Sequence, residues 1–207
     1  MTKFSRAVMV GVALLGLFGS LSAVQAAPLL PDEFNAENGG AGALGYTGFA
    51  DYIVQSGSVD LIGNGFFDAY AGNGLYVDLA GSSFGSIASA TIYGPGTYSV
   101  TTALGGPIAA NFVDGVRIGF GSSFVDHILS GLTTGIFVDT FTLLAPSAIS
   151  FTDLGLSGNP NVGATLFGSS VTAVPEPSTL AVLGAALLLG FTLWRRGRNS
   201  RRHPTMA

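Results

Sequence analysis

The sequence predicts an all-β fold, a jelly-roll-like antiparallel β-sandwich. It is flanked by an N-terminal signal peptide and a C-terminal single transmembrane helix. Three observations carry this prediction. Short alternating stretches are separated every several residues by Gly, Ser, Thr and Asn. No stretch of the middle holds a helical period over three turns. The long apolar runs lie at the two ends, each beside basic residues.

At the N-terminus, Lys3 and Arg6 precede an apolar segment from Ala7 to Leu17 and the small-residue site Val24-Gln25-Ala26. A basic start, a short apolar run and a small-residue cleavage site make a secretory signal peptide. Residues 1–26 are therefore expected to be removed, with cleavage after Ala26 or after Ala27. A permanent N-terminal membrane helix is the competing reading, and the shortness of the apolar run weighs against it.

The strands follow in order. Val59 to Ile62, Leu75 to Leu79, Ile87 to Tyr93, Tyr98 to Thr101, Val116 to Phe120, Phe137 to Leu143, Ile149 to Leu154 and Ala164 to Val171 all read as β. In Thr97 to Thr101 the large side chains Tyr98 and Val100 share one face and the hydroxyls the other, the period of a half-buried strand. Gly63-Asn64-Gly65 and Gly72-Asn73-Gly74 are suited to tight turns with positive φ. Many short strands with turn residues between them point to a sandwich or jelly roll. Residues 27–173, about 150 in all, make one domain, large enough to bury roughly 68–70% of its unfolded surface. The chain has no cysteine, so disulfides, thiol chemistry and cysteine-ligated zinc are excluded.

Charge is divided sharply along the chain. Eleven of the twelve acids lie in residues 27–173 against one base, Arg117, so this part carries a formal charge of −10. Such a domain repels nucleic acid and anionic lipid and tolerates neutral sugars or divalent cations.

The C-terminal segment, residues 174–207, is organised around Val174-Pro175-Glu176-Pro177-Ser178. Residues 178–194 carry no charge, and Trp194 is followed by Arg195, Arg196, Arg198, Arg201 and Arg202. Seventeen residues are at the lower limit for a helix crossing a core of about 30 Å. Pro175 and Pro177 bar a regular helix upstream, and the arginines hold the tail on the cytoplasmic side. With Lys3 and Arg6 retained on that side too, the acidic centre is expected to cross the membrane.

These residues, Val174 to Arg202, resemble the PEP-CTERM family of exported bacterial proteins: the Val-Pro-Glu-Pro-Ser motif, the apolar helix and the basic cluster. The resemblance implies recognition of Pro175, Glu176 and Pro177 by an exosortase-type membrane peptidase, removal of residues 174–207, and delivery of the remainder to the cell surface or medium. Such proteins accompany exopolysaccharide production in Gram-negative bacteria. A second resemblance is carried by Ser56 to Gly63, Gly74 to Gly81, Gly85-Ser86-Ile87 and Pro95 to Tyr98, which are similar to choice-of-anchor C domains. It implies a galactose-binding-like, carbohydrate-binding β-sandwich. It covers the first half of the domain; Gly163 to Gly168 departs from the pattern. Phe137-Val138-Asp139-Thr140-Phe141 also has the F-x-D-x-F form seen among PEP-CTERM proteins.

Motifs for catalysis are weak. Gly81-Ser82-Ser83-Phe84-Gly85 matches G-x-S-x-G, but Ser86 to Tyr93 reads as a strand where the hydrolase motif needs a helix. His127 is the single histidine outside the tail. Gly40 to Gly45 matches G-x-G-x-x-G without the strand–turn–helix setting of a cofactor site, and reads as a loop. No cofactor is expected. With one histidine outside the tail and no cysteine, the remaining carboxylate and carbonyl ligands suit a structural calcium, with Asp60, Asp78, Asp126 and Asp139 read as isolated acids at strand edges or facing solvent. Among the aromatics from Tyr46 to Tyr70, the phenylalanines are expected in the core, and Tyr46, Tyr52 and Tyr70 are open candidates for a sugar platform. The preferred function is non-catalytic, binding or structural, with exosortase, signal peptidase, the membrane and extracellular polysaccharide as partners. A matrix protein that binds no glycan and a polysaccharide or ester hydrolase are the alternatives.

Overall fold

The computed structural model describes residues 34–174 together with Leu189 and Phe191. The expected signal peptide, its cleavage site at Ala26 or Ala27, the motif Pro175-Glu176-Pro177 and the arginine cluster lie outside the described residues. Leu189 and Phe191 are helical. Among the described residues no helix is long and apolar enough to cross a membrane.

Ten strands make two five-stranded antiparallel sheets, the sandwich predicted from the alternation. They are β1 (Tyr52–Ser56), β2 (Asp60–Gly63), β3 (Leu75–Asp78), β4 (Ser86–Ser89), β5 (Gly96–Gly105), β6 (Val113–Phe120), β7 (Ser123–Ser130), β8 (Thr134–Leu143), β9 (Ile149–Asp153) and β10 (Thr165–Ala173). The first sheet runs β1-β4-β9-β6-β7 and the second β2-β3-β10-β5-β8. Only β2–β3 and β6–β7 are hairpins within one sheet; every other connection carries the chain across to the opposite sheet. This shuttling is jelly-roll-like, and it makes most pairings non-local, which slows folding.

The core lies between the sheets. Phe151, Ile118 and Ile87 from the first face Leu61, Val77 and Leu166 from the second, all fully buried. Each such side chain contributes about 1.5–3 kcal/mol by leaving water, and in a chain without disulfides this burial must carry the fold. The Tyr52 hydroxyl reaches across the core to the Ser169 hydroxyl at 3.0 Å and ties the two sheets together.

Two strands, β1 and β7, were not legible as such. In β1, Ile53 points outward and is 60% exposed while Tyr52 and Val54 pack inward. In β7, Phe124 and Ile128 are exposed and His127 faces inward. Apolar residues on the outer face and a polar one on the inner face erase the alternation that marks a half-buried strand. The turn before β7 follows local rules nonetheless. Phe120 pairs with Ser123 across Gly121-Ser122, and Gly121 takes φ +68°, the glycine-first arrangement of a two-residue hairpin.

The F-x-D-x-F residues acquire a role here. Phe137, Asp139 and Phe141 all lie on the inner face of β8. The His127 Nε2 is 2.7 Å from the Asp139 Oδ2, and its ring lies 4.1 Å from that of Phe137. The motif therefore joins the outermost strand of one sheet to the outermost strand of the other.

Candidate ligand-binding site

An open cleft of about 950 Å³ lies on the outer side of the second sheet. Ala103 of β5 and Ile136 of β8 pair directly in register, and both line it. Phe167 of β10 lines it too, at the point where the β5–β10 register shifts between Leu166 and Gly168. Asn35, Asn64, Asn73 and Thr134 supply its polar groups, and no charged side chain lines it.

The two ends of the β2–β3 loop (residues 64–74), Asn64 and Gly72 to Gly74, build one wall. Gly63 and Phe66 exchange backbone hydrogen bonds of 2.9 Å around Asn64 (φ +52°) and Gly65 (φ +85°), a type I′ turn as the Asn-Gly pair predicts. The rest of the loop is organised by Tyr76 of β3. Its hydroxyl accepts from the Ala69 amide at 2.8 Å and the Tyr70 amide at 3.2 Å, and donates to Asp68 at 3.3 Å. The Tyr70 hydroxyl donates to the Gly106 carbonyl at 2.8 Å, fastening the loop to the end of β5. Burial pushes the Tyr70 phenol up to about 12, so it remains a donor at any physiological pH. Tyr70, Tyr76 and Phe167 pack ring against ring at 5.0–5.6 Å and form a small second core beneath the loop.

The asparagines are placed by the backbone. Asn35 Oδ1 accepts from the Leu75 amide at 2.7 Å. This requires glycine at position 74: Gly74 has φ +74°, and a Cβ there would strike the Asn35 amide group. Asn73 Nδ2 donates to the Tyr70 carbonyl at 2.9 Å, and Asn64 Nδ2 to the Gly40 carbonyl at 3.5 Å. Among the described residues these bonds leave the Asn64 and Asn73 amide oxygens and the Asn35 amide nitrogen uncommitted. Neutral donors and acceptors beside Ile136 and Phe167 suit an uncharged polyhydroxylated ligand with an apolar face.

The aromatic expectations hold in part: Phe49 is in the core as expected, but Phe66 and Phe67 are not. Tyr52 and Tyr70 are buried, at 6% and 7% exposure, whereas Phe67 is 62% exposed and Phe66 36%. Tyr46 packs edge-on against Phe49 at 4.7 Å, and its hydroxyl donates to Glu37 and to the Gly48 carbonyl. A buried tyrosine needs a hydroxyl partner, and the fold supplies one to each; hydrophobicity alone could not show this.

The acids also differ from expectation. Asp78, Asp114 and Asp153 are buried, at 2%, 0% and 6% exposure. Asp114 accepts from the amides of Gly115, Leu156 and Ser157 at 2.8–3.2 Å. Asp153 accepts from Gly155 at 2.7 Å and Ala164 at 3.1 Å, and Asp78 from Ala80 at 2.9 Å. Burial pushes the Asp78 carboxyl up to about 8, against one opposing backbone bond, so it is largely protonated at neutral pH. Burial and the neighbouring Asp114 raise Asp153 to about 6. Asp126 is the exposed acid of the expected kind: Arg117 bonds it bidentately at 2.7 and 2.8 Å and holds its carboxyl below the usual range. Asp139 is not isolated but paired with His127. Among the described residues no group of three or more His, Cys, Asp or Glu side chains is arranged to hold a metal ion.

The hydrolase motif is not assembled. Ser83 is exposed in the β3–β4 loop, and a strand follows it. His127 stands on β7, separated from β4 by β9 and β6, a lateral distance of about 14 Å at the usual strand spacing. Gly40 to Gly45 forms a loop that bridges to β2 through Ala43 and Leu61, with no helix after it.

Comparison with known proteins adds one sequence match. Residues 173–197 match the PEP-CTERM protein-sorting motif. No curated protein matches the chain. Solved structures of similar shape include a family 16 carbohydrate-binding module, at 16% identity over 55% of this chain and 84% of that one, TM-score 0.35. Another is a family 61 carbohydrate-binding module in complex with β-1,4-galactotriose, at 10% identity over 59% and 87%, TM-score 0.38. A third is a family 35 module from Paenibacillus barcinonensis, at 13% identity over 65% and 100%, TM-score 0.39.

Proposed function

We propose that this chain, which carries a PEP-CTERM sorting motif, is an exported surface protein whose β-sandwich binds a neutral glycan of the extracellular polysaccharide. Residues 1–26 direct export and are cut after Ala26 or Ala27 by signal peptidase. Residues 178–194 hold the precursor in the inner membrane with Arg195, Arg196, Arg198, Arg201 and Arg202 inside and the domain in the periplasm. An exosortase recognises Pro175-Glu176-Pro177 and frees residues 27–173 to the cell surface or medium. The domain acts without catalysis.

One observation supports the glycan reading above the others. The cleft is uncharged and rimmed by asparagine amides in a domain whose formal charge is −10. Where acids are this abundant, a site without any selects against cations and for neutral partners.

Two measurements test the proposal. Fractionation of the producing cell with intact-mass determination should find a surface or extracellular form that lacks both ends; the uncut polypeptide in the cytosol would overturn the sorting scheme. The purified protein should be retained on neutral exopolysaccharide, insensitively to chelator and salt. Absence of retention on any polysaccharide would leave a structural matrix role in its place.

A further inference from the structure

Phe67 adopts a backbone conformation that bulky residues avoid, φ +48°, with its side chain 62% exposed. The surroundings explain how this conformation is held. The type I′ turn at Asn64-Gly65 ends immediately before it, and Asp68 immediately after it accepts from the Gly65 and Tyr70 amides at 3.2 Å. They do not explain the ring. Asparagine or glycine would occupy the same φ with less strain, and an exposed phenylalanine gains little from burial in return.

The ring is nonetheless positioned. It meets Phe66 edge-on, centroids 4.9 Å apart and planes at 89°. Phe66 is itself anchored by its two backbone bonds to Gly63 and by packing over Gly42. The feet of this loop, Asn64 and Gly72 to Gly74, line the cleft. Phe67 itself stands outside the cleft, on the loop whose two ends line it, and a strained, solvent-exposed and laterally braced aromatic so near an uncharged cleft matches what strain retained at binding sites looks like.

We infer that Phe67 is a second binding subsite, a platform that stacks on the apolar face of a sugar ring continuing out of the cleft, so that the ligand is a neutral oligosaccharide chain and not a single sugar. This rests on the glycan reading above and specifies its length and chemistry. Charge decides against a lipid surface as the occupant. The domain carries −10, and Arg117, its single base, is held by Asp126 on the β6–β7 hairpin, so an anionic membrane repels it.

The test is titration of the full chain, in detergent, with neutral β-linked galactose and glucose disaccharides and hexasaccharides, for the wild type and Phe67→Asn. The wild type should bind a hexasaccharide about tenfold more tightly than the disaccharide, and Phe67→Asn should abolish that gain while leaving disaccharide affinity unchanged. The same substitution should raise the thermal midpoint by about 2–4 °C, because it relieves the strained φ. Lost chain-length preference with gained stability is a signature that a structural role for the ring would not produce. Equal hexasaccharide affinity in both proteins, or a lowered midpoint in the variant, overturns the platform and leaves the glycan reading standing. No binding of either sugar by the wild type removes both. Binding of the wild type alone to phosphatidylcholine vesicles, with no chain-length effect, would reassign Phe67 to lipid.

Discussion

The acid cluster and the cleft are both assembled from polar side chains tied to backbone amides, yet they end in different states. Asp114 spends its two oxygens on three amides from the segments beginning β6 and following β9, and Asp153 spends its own on Gly155 and Ala164. These groups are closed off from solvent and close the loops around them. In the cleft, Asn35, Asn64 and Asn73 each make one bond that orients the side chain and keep the rest of the amide for a partner. The density of charge is therefore a poor guide to function here. The charged residues lock loops, and the neutral ones remain available.

Four substitutions sharpen this contrast. The largest effect should come from Asp114→Ala, which leaves the buried Gly115 amide and the part-buried Leu156 and Ser157 amides without a partner; unfolding in denaturant should show a loss of roughly 2–4 kcal/mol. The folded fraction should still bind the glycan, since Asp114 does not line the cleft. If cleft binding fell in proportion to stability, the two regions would be one unit.

The second prediction concerns pH. Asp78 and Asp153 have folded-state values raised to about 8 and about 6 from an ordinary value of 3.8. The folded protein then holds protons that the unfolded chain releases, so this contribution is complete below about pH 4 and is lost as pH rises, through about 6 for Asp153 and about 8 for Asp78. Within that window each group costs up to about 1.4 kcal/mol per pH unit. Asp78→Asn should flatten the curve above pH 6, as read by thermal midpoints across pH. A stability that rose with pH over the same range would contradict the burial of a protonated Asp78.

Third, Gly74→Ala should cost more than about 1–2 kcal/mol, since the left-handed φ alone costs that much and Asn35 must move. Unlike Asp114→Ala, it should also weaken glycan retention in the protein that remains folded. Smallest is Arg117→Ala. Its ion pair with Asp126 and its stacking over Phe124 at 4.0 Å are solvent-exposed, so no resolvable change in the unfolding midpoint is expected.

Legibility followed the range of the interactions involved. The Asn64-Gly65 turn was readable because a type I′ turn needs two positive φ angles in succession, a demand that asparagine and glycine meet with the least strain. Strand β5 was readable because Val100 is fully buried and Ser99 and Thr101 face outward, as the alternation requires. Strand β7 was not, because its inner face holds His127, whose partner Asp139 lies on another strand. Phe67 was assigned to the core on hydrophobicity, and Asp78 to a strand edge or solvent on charge. Both failed for one reason: the environment of each is set by loops and strands distant in sequence. The cleft could not be found at all, since its walls are gathered from Asn35 to Phe167.

By itself the sequence determined the pattern of strands and tight turns, the acidic character of the domain and the sorting motif at its end. Each of these depends on neighbouring residues: the two-residue pleat, the φ that glycine and asparagine tolerate, and an uninterrupted apolar run beside fixed charge. Only the tertiary structure decided which faces were covered, which carboxylates lost water and its charge-stabilising dipoles, and which aromatics were left standing outside. Those outcomes arise when two sheets close over one another, and solvent exposure is a property of that closure.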